Sequence, residues 1–409
     1  MNFIIKPTSF LCNMVCKYCF YLEKSEFMVQ KNTETTSHNF MRSEDLYKFM
    51  EKRVMCSNDE QITFIWQGGE PLLIGLDFYK KAVSLGKTLA KKYDKQIYHS
   101  IQTNGTLINK EWAKFFHEEH ILVGLSIDGD EELHNAYRKM KTQNSSFERV
   151  LQAIKLMQQY QVEFNTLTVV NNINVKYPLR VYNFLKSLDV KFMQFIPVVE
   201  TEKSTNEDYM PSWLTNPQEP IKLAEFTVDP LEYGKFITTI FDEWIRKDIT
   251  KISIRLFDAM VQQFLGQPTS LCVFRKECGG ENMVLESEGT VYQCDHFVYP
   301  NDKYKVGNIL DLNKDILDKS ITIWSANKAK ISTECKSCKW LALCNGGCPK
   351  HRFVKAQSDS DSDEYKSYFC PAYKHIFEHI TPGINLIVEF IDKKIPWEYF
   401  PEAVDKVYK

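Results

Sequence analysis

Short apolar runs recur along the first half of the chain, and stretches with helical spacing separate them. The runs are rich in β-branched and aromatic residues and are bounded by polar or turn-forming residues, which is typical of strands. Six of them predict strands, at residues 2–6, 61–66, 96–102, 121–127, 163–170 and 191–197.

Helices are predicted between these strands. After the second strand, one helical face is formed by Leu76, Tyr79, Val83, Gly86 and Ala90. Similar patterns predict helices at about 109–118, 146–160 and 178–187. Strand and helix units that alternate without hairpins imply a parallel sheet with right-handed crossovers. About 200 residues carry the alternation, whereas a closed eight-unit barrel needs roughly 250, so we expect an α/β fold with a partial (β/α)6 TIM-like barrel.

Unusual residues follow four of the predicted strands. They are Cys12 to Cys19 after the first strand, Gln67-Gly-Gly-Glu-Pro71 after the second, Thr103-Asn-Gly105 after the third and Asp128-Gly129 after the fourth. Parallel α/β folds place their sites at the carboxyl ends of the strands. The sequence therefore predicts a functional site at this edge of the sheet.

The pattern changes after residue 197. Residues 200–229 are polar and irregular, helices are predicted at 230–247 and 257–265, and Ser287-Glu-Gly289 predicts a hairpin within 283–294. The acidic stretch 357–364 is typical of a solvated loop. We expect a barrel at 1–229, a helical connection at 230–271, a cysteine-rich domain at 272–375 and a helical tail at 376–409.

The overall charge is balanced, with 51 Lys and Arg against 53 Asp and Glu, which argues against a nucleic-acid or anionic-membrane binder. The first apolar run is broken by Lys6-Pro7 and is too short for a secretory signal. No run of about 18 apolar residues predicts a membrane span. A cytoplasmic location is expected.

The abnormal feature is the distribution of the 12 cysteines. Three lie within Cys12 to Cys19, Cys56 stands alone, and the other eight fall between Cys272 and Cys370. Closely spaced cysteines in a reducing compartment are more often metal ligands than disulfide partners. The spacing C-x3-C-x2-C at Cys12, Cys16 and Cys19 can hold three irons of a [4Fe–4S] cluster and leave the fourth iron without a protein ligand.

This cysteine loop, with Tyr18 directly before its last cysteine, resembles the motif of the radical S-adenosylmethionine superfamily. Gln67-Gly68-Gly69-Glu70-Pro71 is similar to the superfamily's Gly-Gly-Glu segment, which contacts the methionine amino group of the cofactor. The resemblance implies that S-adenosylmethionine is bound by Tyr18, Gly68, Gly69, Glu70, Ser126, Arg138 and Val199.

The eight C-terminal cysteines allow two interpretations from their spacing alone. Cys335, Cys338, Cys344 and Cys348 are typical of a four-cysteine zinc site, and eight thiolates also suffice for two fully ligated [4Fe–4S] clusters. The region resembles the SPASM domain of anaerobic sulfatase-maturating enzymes. That resemblance implies three [4Fe–4S] clusters in all, with one auxiliary cluster on Cys272, Cys278, Cys294 and Cys348 and the other on Cys335, Cys338, Cys344 and Cys370.

The resemblance covers nearly the whole chain and implies a reaction. In such enzymes a 5′-deoxyadenosyl radical takes a hydrogen from a cysteine or serine of an unfolded sulfatase, a base takes a proton, and an electron leaves to an auxiliary cluster, which yields Cα-formylglycine. Asp295 matches the base, and Tyr21 and Gln67 match neighbours of the substrate. An electron donor such as flavodoxin or ferredoxin is implied. Two stretches depart from the family's pattern: residues 27–40 resemble an extra polar loop, and residues 357–364 lengthen the separation of Cys348 and Cys370.

Two other functions fit part of the sequence. A radical enzyme with a SPASM domain that forms thioether or carbon–carbon crosslinks in a ribosomal peptide shares the same cysteines, although Asp295 after Cys294 favours sulfatase maturation. A non-enzymatic iron–sulfur carrier or zinc-stabilised binding module would explain the C-terminal cysteines, but not an under-ligated loop beside Gly-Gly-Glu. The sequence leaves open the choice between cysteine and serine, the client sulfatase and the oligomeric state.

Overall fold

The computed structural model describes residues 3–21, 24, 40–201, 221–278, 282–357 and 364–408. The predicted polar loop at 27–40, apart from Phe40, and residues 358–363 of the acidic stretch lie outside the described residues. The strands are β1 (Phe3–Ile5), β2 (Gln61–Trp66), β3 (Gln96–Thr103), β4 (Leu122–Ser126), β5 (Phe164–Val170), β6 (Phe192–Pro197), β7 (Ser253–Ile254), β8 (Met283–Leu285), β9 (Thr290–Tyr292), β10 (Lys305–Asn308), β11 (Arg352–Lys355) and β12 (Tyr365–Ser367).

Helices occupy most of the connections between these strands. They are α1 (Ser43–Met55), α2 (Leu76–Tyr93), α3 (Lys110–Glu118), α4 (Glu131–Tyr137), α5 (Phe147–Gln159), α6 (Pro178–Ser187), α7 (Pro230–Lys247), α8 (Arg255–Phe264), α9 (Lys314–Ala329), α10 (Thr333–Lys336), α11 (Leu341–Cys344), α12 (Cys370–Asp392) and α13 (Phe400–Val407). None of the described helices is long and apolar enough to cross a membrane.

The main sheet has ten strands in the order β10-β9-β8-β1-β2-β3-β4-β5-β6-β7. All pairings from β8 through β1 to β7 are parallel, whereas β8, β9 and β10 pair antiparallel. The predicted α/β class and partial parallel barrel are confirmed. The short strand β7 adds a seventh parallel strand that the sequence pattern did not predict.

Local sequence explains why the elements form where they do. Along β2, buried and exposed positions alternate with the two-residue period of a strand, so one face packs into the core. Helix α2 buries Phe78, Tyr79, Ala82 and Val83 on one face, as expected from the 3.6-residue period. Asp229 accepts hydrogen bonds from the first turn of α7 and caps that helix.

The predicted hairpin at 283–294 forms from β8 and β9, and β8 also pairs with a strand outside the hairpin. Strand β8 pairs in parallel with β1, with Ile5 opposite Leu285, so the hairpin extends the barrel sheet. A second apolar cluster, which includes Ile4, Val284 and Trp324, covers this junction. The sheet thus joins the predicted barrel and the cysteine-rich region. Helix α12 runs through residue 375, the predicted end of the cysteine-rich region, and so joins that region to the helical tail.

Candidate active site

The cysteine loop (residues 12–19) follows β1 across a turn and is attached to the segment after β2. The main-chain N–H of Gly69 donates to the Ser9 carbonyl at 2.8 Å, and that of Glu70 donates to the Leu11 carbonyl at 2.7 Å. These bonds pair the start of the loop with the Gly-Gly-Glu segment. Two motifs that lie far apart in the sequence therefore form one backbone unit.

Gly68 and Gly69 are required by the closeness of this contact. A Cβ atom added to Gly69 would lie 2.1 Å from the Leu11 carbonyl oxygen, well inside van der Waals contact. Gly68 has a φ of +144°, and its added Cβ would lie 2.9 Å from the Ser9 carbonyl oxygen. Only glycine permits this approach of two backbones without displacing one of them.

The end of β3 holds the cysteine loop from the other side. The Asn104 amide nitrogen donates to the Asn13 side-chain oxygen at 2.9 Å and lies 3.7 Å from the Cys12 sulfur. Asn13 in turn donates to the Thr106 hydroxyl at 2.9 Å. The Thr103-Asn-Gly segment thus orients the first cysteine of the loop.

The thiols of the loop lie close enough to influence one another. Burial, with smaller contributions from the charges of Glu70 and Cys19, raises the pKa of Cys12 to about 11. Burial raises the pKa of Cys16 to about 12, and Arg138 opposes this while Cys19 and Cys12 add to it. Three partly buried sulfurs that repel one another as thiolates require positive charge at their centre. This donor set fits an iron–sulfur cluster.

Glu70 is fully buried, and protein donors bind both of its carboxylate oxygens. Its Oε1 accepts from the Thr103 hydroxyl at 2.7 Å and from the Leu72 N–H at 3.0 Å, while Oε2 accepts from the Asn104 N–H at 2.8 Å. Burial raises the pKa of Glu70 to about 7. The side chain therefore joins the ends of β2 and β3, and the cofactor contact expected of this segment stays a prediction.

Arg138 is buried beside the loop rather than solvated on its helix end. Its Nη1 donates to the Tyr18 hydroxyl at 2.9 Å, and that hydroxyl donates to the buried Asp128 carboxylate. Among the described residues, the buried Nε of Arg138 has no hydrogen-bond partner. A buried guanidinium with an open donor fits a carboxylate such as that of the methionine part of S-adenosylmethionine.

The other predicted contacts lie at the carboxyl ends of their strands. Ser126 ends β4, and its hydroxyl accepts from the Gln102 amide at 3.2 Å. The main chain of Gln67 donates to the Ile5 carbonyl at 2.9 Å. Val199 follows β6 and is buried. These positions are those expected for an α/β site, and the individual ligand roles stay predictions.

Asp295 lies in a buried cluster of charges next to the cysteine loop. It begins a short 3-10 helix (Asp295–Phe297) after β9, and its Oδ1 lies 2.7 Å from the ammonium nitrogen of Lys6. Lys24, also buried, donates to the Asp295 main-chain carbonyl. Phe20 directly follows Cys19, and its ring lies 5.3 Å from that of His296. The predicted base is thus adjacent in sequence to His296, which packs on Phe20 at the end of the cysteine loop.

Tyr21 reaches the same cluster from the cysteine loop. Its ring covers the Lys6 ammonium nitrogen at 4.2 Å, and its hydroxyl donates to Glu286. Burial, reinforced by the negative charge of Glu286, raises the pKa of Tyr21 well above its usual value of 10. Tyr21 is therefore a neutral hydrogen-bond donor near the predicted base.

The first predicted auxiliary set shares one electrostatic environment. Burial raises the pKa of Cys294 well above 9, and the charges of Cys278, Cys348 and Cys272 raise it further. Burial likewise raises the pKa of Cys272 to about 11, with added repulsion from Cys348 and Cys278. The four sulfurs assigned to this cluster by resemblance therefore lie near one another.

The second predicted set surrounds a single recess. All four of its cysteines line this recess: Cys335, Cys338, Cys344 and Cys370. The aromatic side chains of Trp340, Tyr373 and Phe377 line it as well. All 12 cysteines lie within the described residues, and none forms a disulfide. In the described part of the chain, no three His, Cys, Asp or Glu side chains converge on one metal ion. The thiolates of an iron–sulfur cluster bind different irons.

Several charged residues that build the site had no individual role predicted from the sequence, although Asp128 was noted at the end of the fourth predicted strand. Lys6, Asp128 and Glu286 are fully buried, and none was assigned a role. Each directly follows an apolar strand or predicted strand, as in Ile4-Ile5-Lys6 and Val284-Leu285-Glu286. A charge at that position of a parallel sheet is the signal that could have identified them.

The fold and the site define a radical S-adenosylmethionine protein. The family model described as the Radical SAM superfamily matches residues 7–185, which contain the cysteine loop, the Gly-Gly-Glu segment, Ser126 and Arg138.

Similarity to individual proteins extends over nearly the whole chain. This chain is 37% identical to a serine-type anaerobic sulfatase-maturating enzyme of Bacteroides thetaiotaomicron, over 99% of its own length and 94% of the relative. It is 36% identical, over 94% of its length and 97% of the relative, to a cysteine-type enzyme of Clostridium perfringens. A solved structure described as native anSMEcpe with bound AdoMet and Cp18Cys peptide is 35% identical, with a TM-score of 0.79, over 95% of this chain and 99% of that one. The chain belongs to the anaerobic sulfatase-maturating enzymes.

Proposed function

We propose that this enzyme oxidises a cysteine or serine side chain of an unfolded sulfatase polypeptide to Cα-formylglycine. The observation that carries the proposal is the position of Asp295, a buried carboxylate ion-paired with Lys6 and linked to the cysteine loop through Phe20 and His296. The names of the relatives support the same reaction, since they include both serine-type and cysteine-type maturating enzymes.

The cysteine loop would hold a [4Fe–4S] cluster through Cys12, Cys16 and Cys19. When bound, this cluster and S-adenosylmethionine supply a 5′-deoxyadenosyl radical that can remove hydrogen from carbon. The Gly68–Gly69 backbone, Tyr18, Ser126 and Val199 would surround the cofactor, and the open Nε of Arg138 would face its carboxylate. The protein's part is to orient the reacting groups and to exclude water.

Asp295 would accept the thiol or hydroxyl proton of the substrate. The overall change removes two electrons and two protons from the CH2–XH group, where X is sulfur or oxygen: one hydrogen atom, one proton and one electron. Serine gives the aldehyde directly, whereas cysteine gives a thioaldehyde that water converts to the aldehyde with loss of hydrogen sulfide. The base must be within hydrogen-bond reach of X–H, and Tyr21 and Gln67 would position the side chain there.

The eight C-terminal cysteines would hold two further [4Fe–4S] clusters, which carry electrons when fully ligated. A one-electron donor such as flavodoxin or ferredoxin would supply reducing equivalents in the cytoplasm. Anaerobically prepared protein should then bind about twelve irons per chain, four for each cluster. A content near four irons and two zincs would contradict the three-cluster assignment.

The proposed reaction is tested with short peptides that carry a sulfatase motif with cysteine or with serine. Each is incubated anaerobically with enzyme, S-adenosylmethionine and reductant, and mass spectrometry follows the product. Aldehyde formation is expected. Loss of two hydrogens with a new crosslink would instead identify a crosslinking enzyme, and absence of 5′-deoxyadenosine would identify an electron carrier.

The base is tested with Asp295→Asn. This variant should still form 5′-deoxyadenosine but should lose about 100-fold or more in peptide oxidation, the usual contribution of a general base. Asp302→Asn is a matched control, because Asp302 lies in the same region, has a side chain that is 93% exposed and is ion-paired with the nearby Lys305. Equal formylglycine yields from both variants would refute the assignment.

A further inference from the structure

We propose that Lys6 is a positioning residue for the base: its buried ammonium group fixes the carboxylate of Asp295 in the orientation that receives the substrate proton. This inference rests on the proposed function. Lys6 has 0% exposure, and its Nζ lies 2.7 Å from Oδ1 of Asp295, whose side chain is 12% exposed. The contact is an ion pair by distance: neither atom makes a hydrogen bond within the described residues, so electrostatic attraction alone draws Oδ1 towards the ammonium group. Because the ion pair uses Oδ1, Oδ2 is left for the substrate.

The sheet determines where Lys6 lies. Strand β1 ends at Ile5, and the Lys6 N–H donates to the Leu285 carbonyl at 2.9 Å, which continues the parallel pairing of β1 with β8. Lys6 and Glu286 therefore leave adjacent strands side by side. Asp295 returns to the same place after β9. The lysine is thus held by a rigid sheet rather than by a flexible loop.

A second carboxylate and an aromatic ring complete the surroundings of the ammonium group. The Tyr21 ring covers Lys6 Nζ at 4.2 Å, and Glu286 binds the Tyr21 hydroxyl and the Ser9 hydroxyl, the latter at 2.9 Å. Lys6 also lowers the pKa of the Glu286 carboxyl, against the larger effect of burial. A fully buried ammonium ion needs such compensation. The Tyr21 ring and the nearby Glu286 carboxyl supply part of it, and Asp295 supplies the ion pair.

Lys24 has a different contact with the base. Its ammonium group donates to the main-chain carbonyl of Asp295, so it holds the turn and not the carboxylate. Burial lowers the pKa of Lys24 to about 7. Of these two lysines, Lys6 contacts the side-chain carboxylate of Asp295 and Lys24 contacts its main chain.

The test is a double-mutant cycle of Lys6→Met and Asp295→Asn in the full-length, cluster-loaded enzyme. Lys6→Met should form 5′-deoxyadenosine at the wild-type rate, with peptide KM unchanged and kcat for peptide oxidation lowered about 100-fold. In the Asp295→Asn background, the same change should alter kcat by less than about threefold, because residues that act as a unit are not additive. Additive losses, or a wild-type kcat for Lys6→Met, would overturn the proposal.

Thermal unfolding of the same four proteins gives a second readout that does not depend on activity. Each single variant leaves one buried charge without its partner and should lower the melting temperature, whereas the double variant should recover most of the loss. This holds even if Lys6→Met alone does not fold. Failure of the double variant to recover would show that Lys6 acts through packing and would contradict the proposal.

Two controls separate the possible failures. Lys186→Met breaks a comparable ion pair away from the site, because Lys186 in helix α6 has its Nζ 2.5 Å from Oδ2 of the buried Asp248, which follows helix α7. This variant should leave peptide oxidation unchanged. If the wild-type enzyme forms no aldehyde, the proposed function fails. The unfolding cycle then still decides whether Lys6 and Asp295 act as a pair.

Discussion

A methyl group at Gly69 would collide with the backbone of the cysteine loop. In Gly69→Ala, the new Cβ would lie 2.1 Å from the Leu11 carbonyl oxygen, 2.4 Å from the Leu11 carbonyl carbon and 2.6 Å from the Phe10 carbonyl oxygen. These are main-chain atoms, so no side-chain rotation relieves the contact. The loop must move away from the Gly-Gly-Glu segment.

The cost follows from the contacts that this movement breaks. Overpacking costs about 1–3 kcal/mol. The hydrogen bonds from Gly69 to Ser9 and from Glu70 to Leu11, at 2.8 and 2.7 Å, would be lost as well. At about 1 kcal/mol each, they bring the expected destabilisation to roughly 3–5 kcal/mol. Because the displaced segment carries Cys12, we also expect loss of the cluster with the open iron.

The assay compares Gly69→Ala with Gly75→Ala. Gly75 lies just after the same segment, has a φ of +95° and has no atom within 4 Å of an added Cβ, so its substitution costs only about 1–2 kcal/mol of backbone strain. Gly69→Ala should melt at a lower temperature, bind about four fewer irons per chain and form no 5′-deoxyadenosine. Equal melting temperatures and iron contents for the two variants would refute the steric argument.

Three further predictions concern other parts of the site. Cys370→Ala should lower the iron content by about four per chain and keep 5′-deoxyadenosine formation, and loss of that activity would contradict separate clusters. Arg138→Met should weaken S-adenosylmethionine binding by about 10- to 100-fold at unchanged iron content, as expected for a lost charged hydrogen bond, and equal affinity in equilibrium dialysis would contradict the contact. Burial raises the pKa of Glu286 to about 7 in the folded protein, whereas an unfolded glutamate titrates near 4.3. The folded state therefore binds more protons between these values, and wild-type stability should fall relative to Glu286→Gln as the pH rises through this window. A difference in melting temperature that does not change with pH would contradict this.

The predicted strands and helices of the barrel match the structure closely because their signals are local. The strand at 61–66 and the helices at 178–187 and 230–247 have the predicted bounds. The strand carries its alternation within the segment, and each helix carries its helical spacing and an initial proline. Strand β7 was missed because it has only two residues, Ser253–Ile254, which is too short for any period. The parallel pairing of β8 with β1 was missed because hairpin signals describe only neighbouring segments.

The candidate site divides in the same way. Cysteine spacing and the Gly-Gly-Glu segment could be read directly, because ligands on one short loop are defined by their separation in the sequence. Arg138 was predicted as a cofactor contact from resemblance, whereas its contact with Tyr18 and its open Nε depend on how α4 packs against the loop. Glu70 stays a predicted cofactor contact, and only the structure revealed that its carboxylate accepts hydrogen bonds from Thr103 and Asn104.

By itself, the sequence determined the α/β class, the strands of the barrel and the grouping of the cysteines. Only the tertiary structure decided which charges surround the base. Ser9 and Glu286 are 277 residues apart, and Lys6 and Asp295 are similarly distant, yet the pairing of β1 with β8 brings them into one buried cluster. Burial and charge pairing depend on every segment that packs around a group, so no local pattern can reveal them.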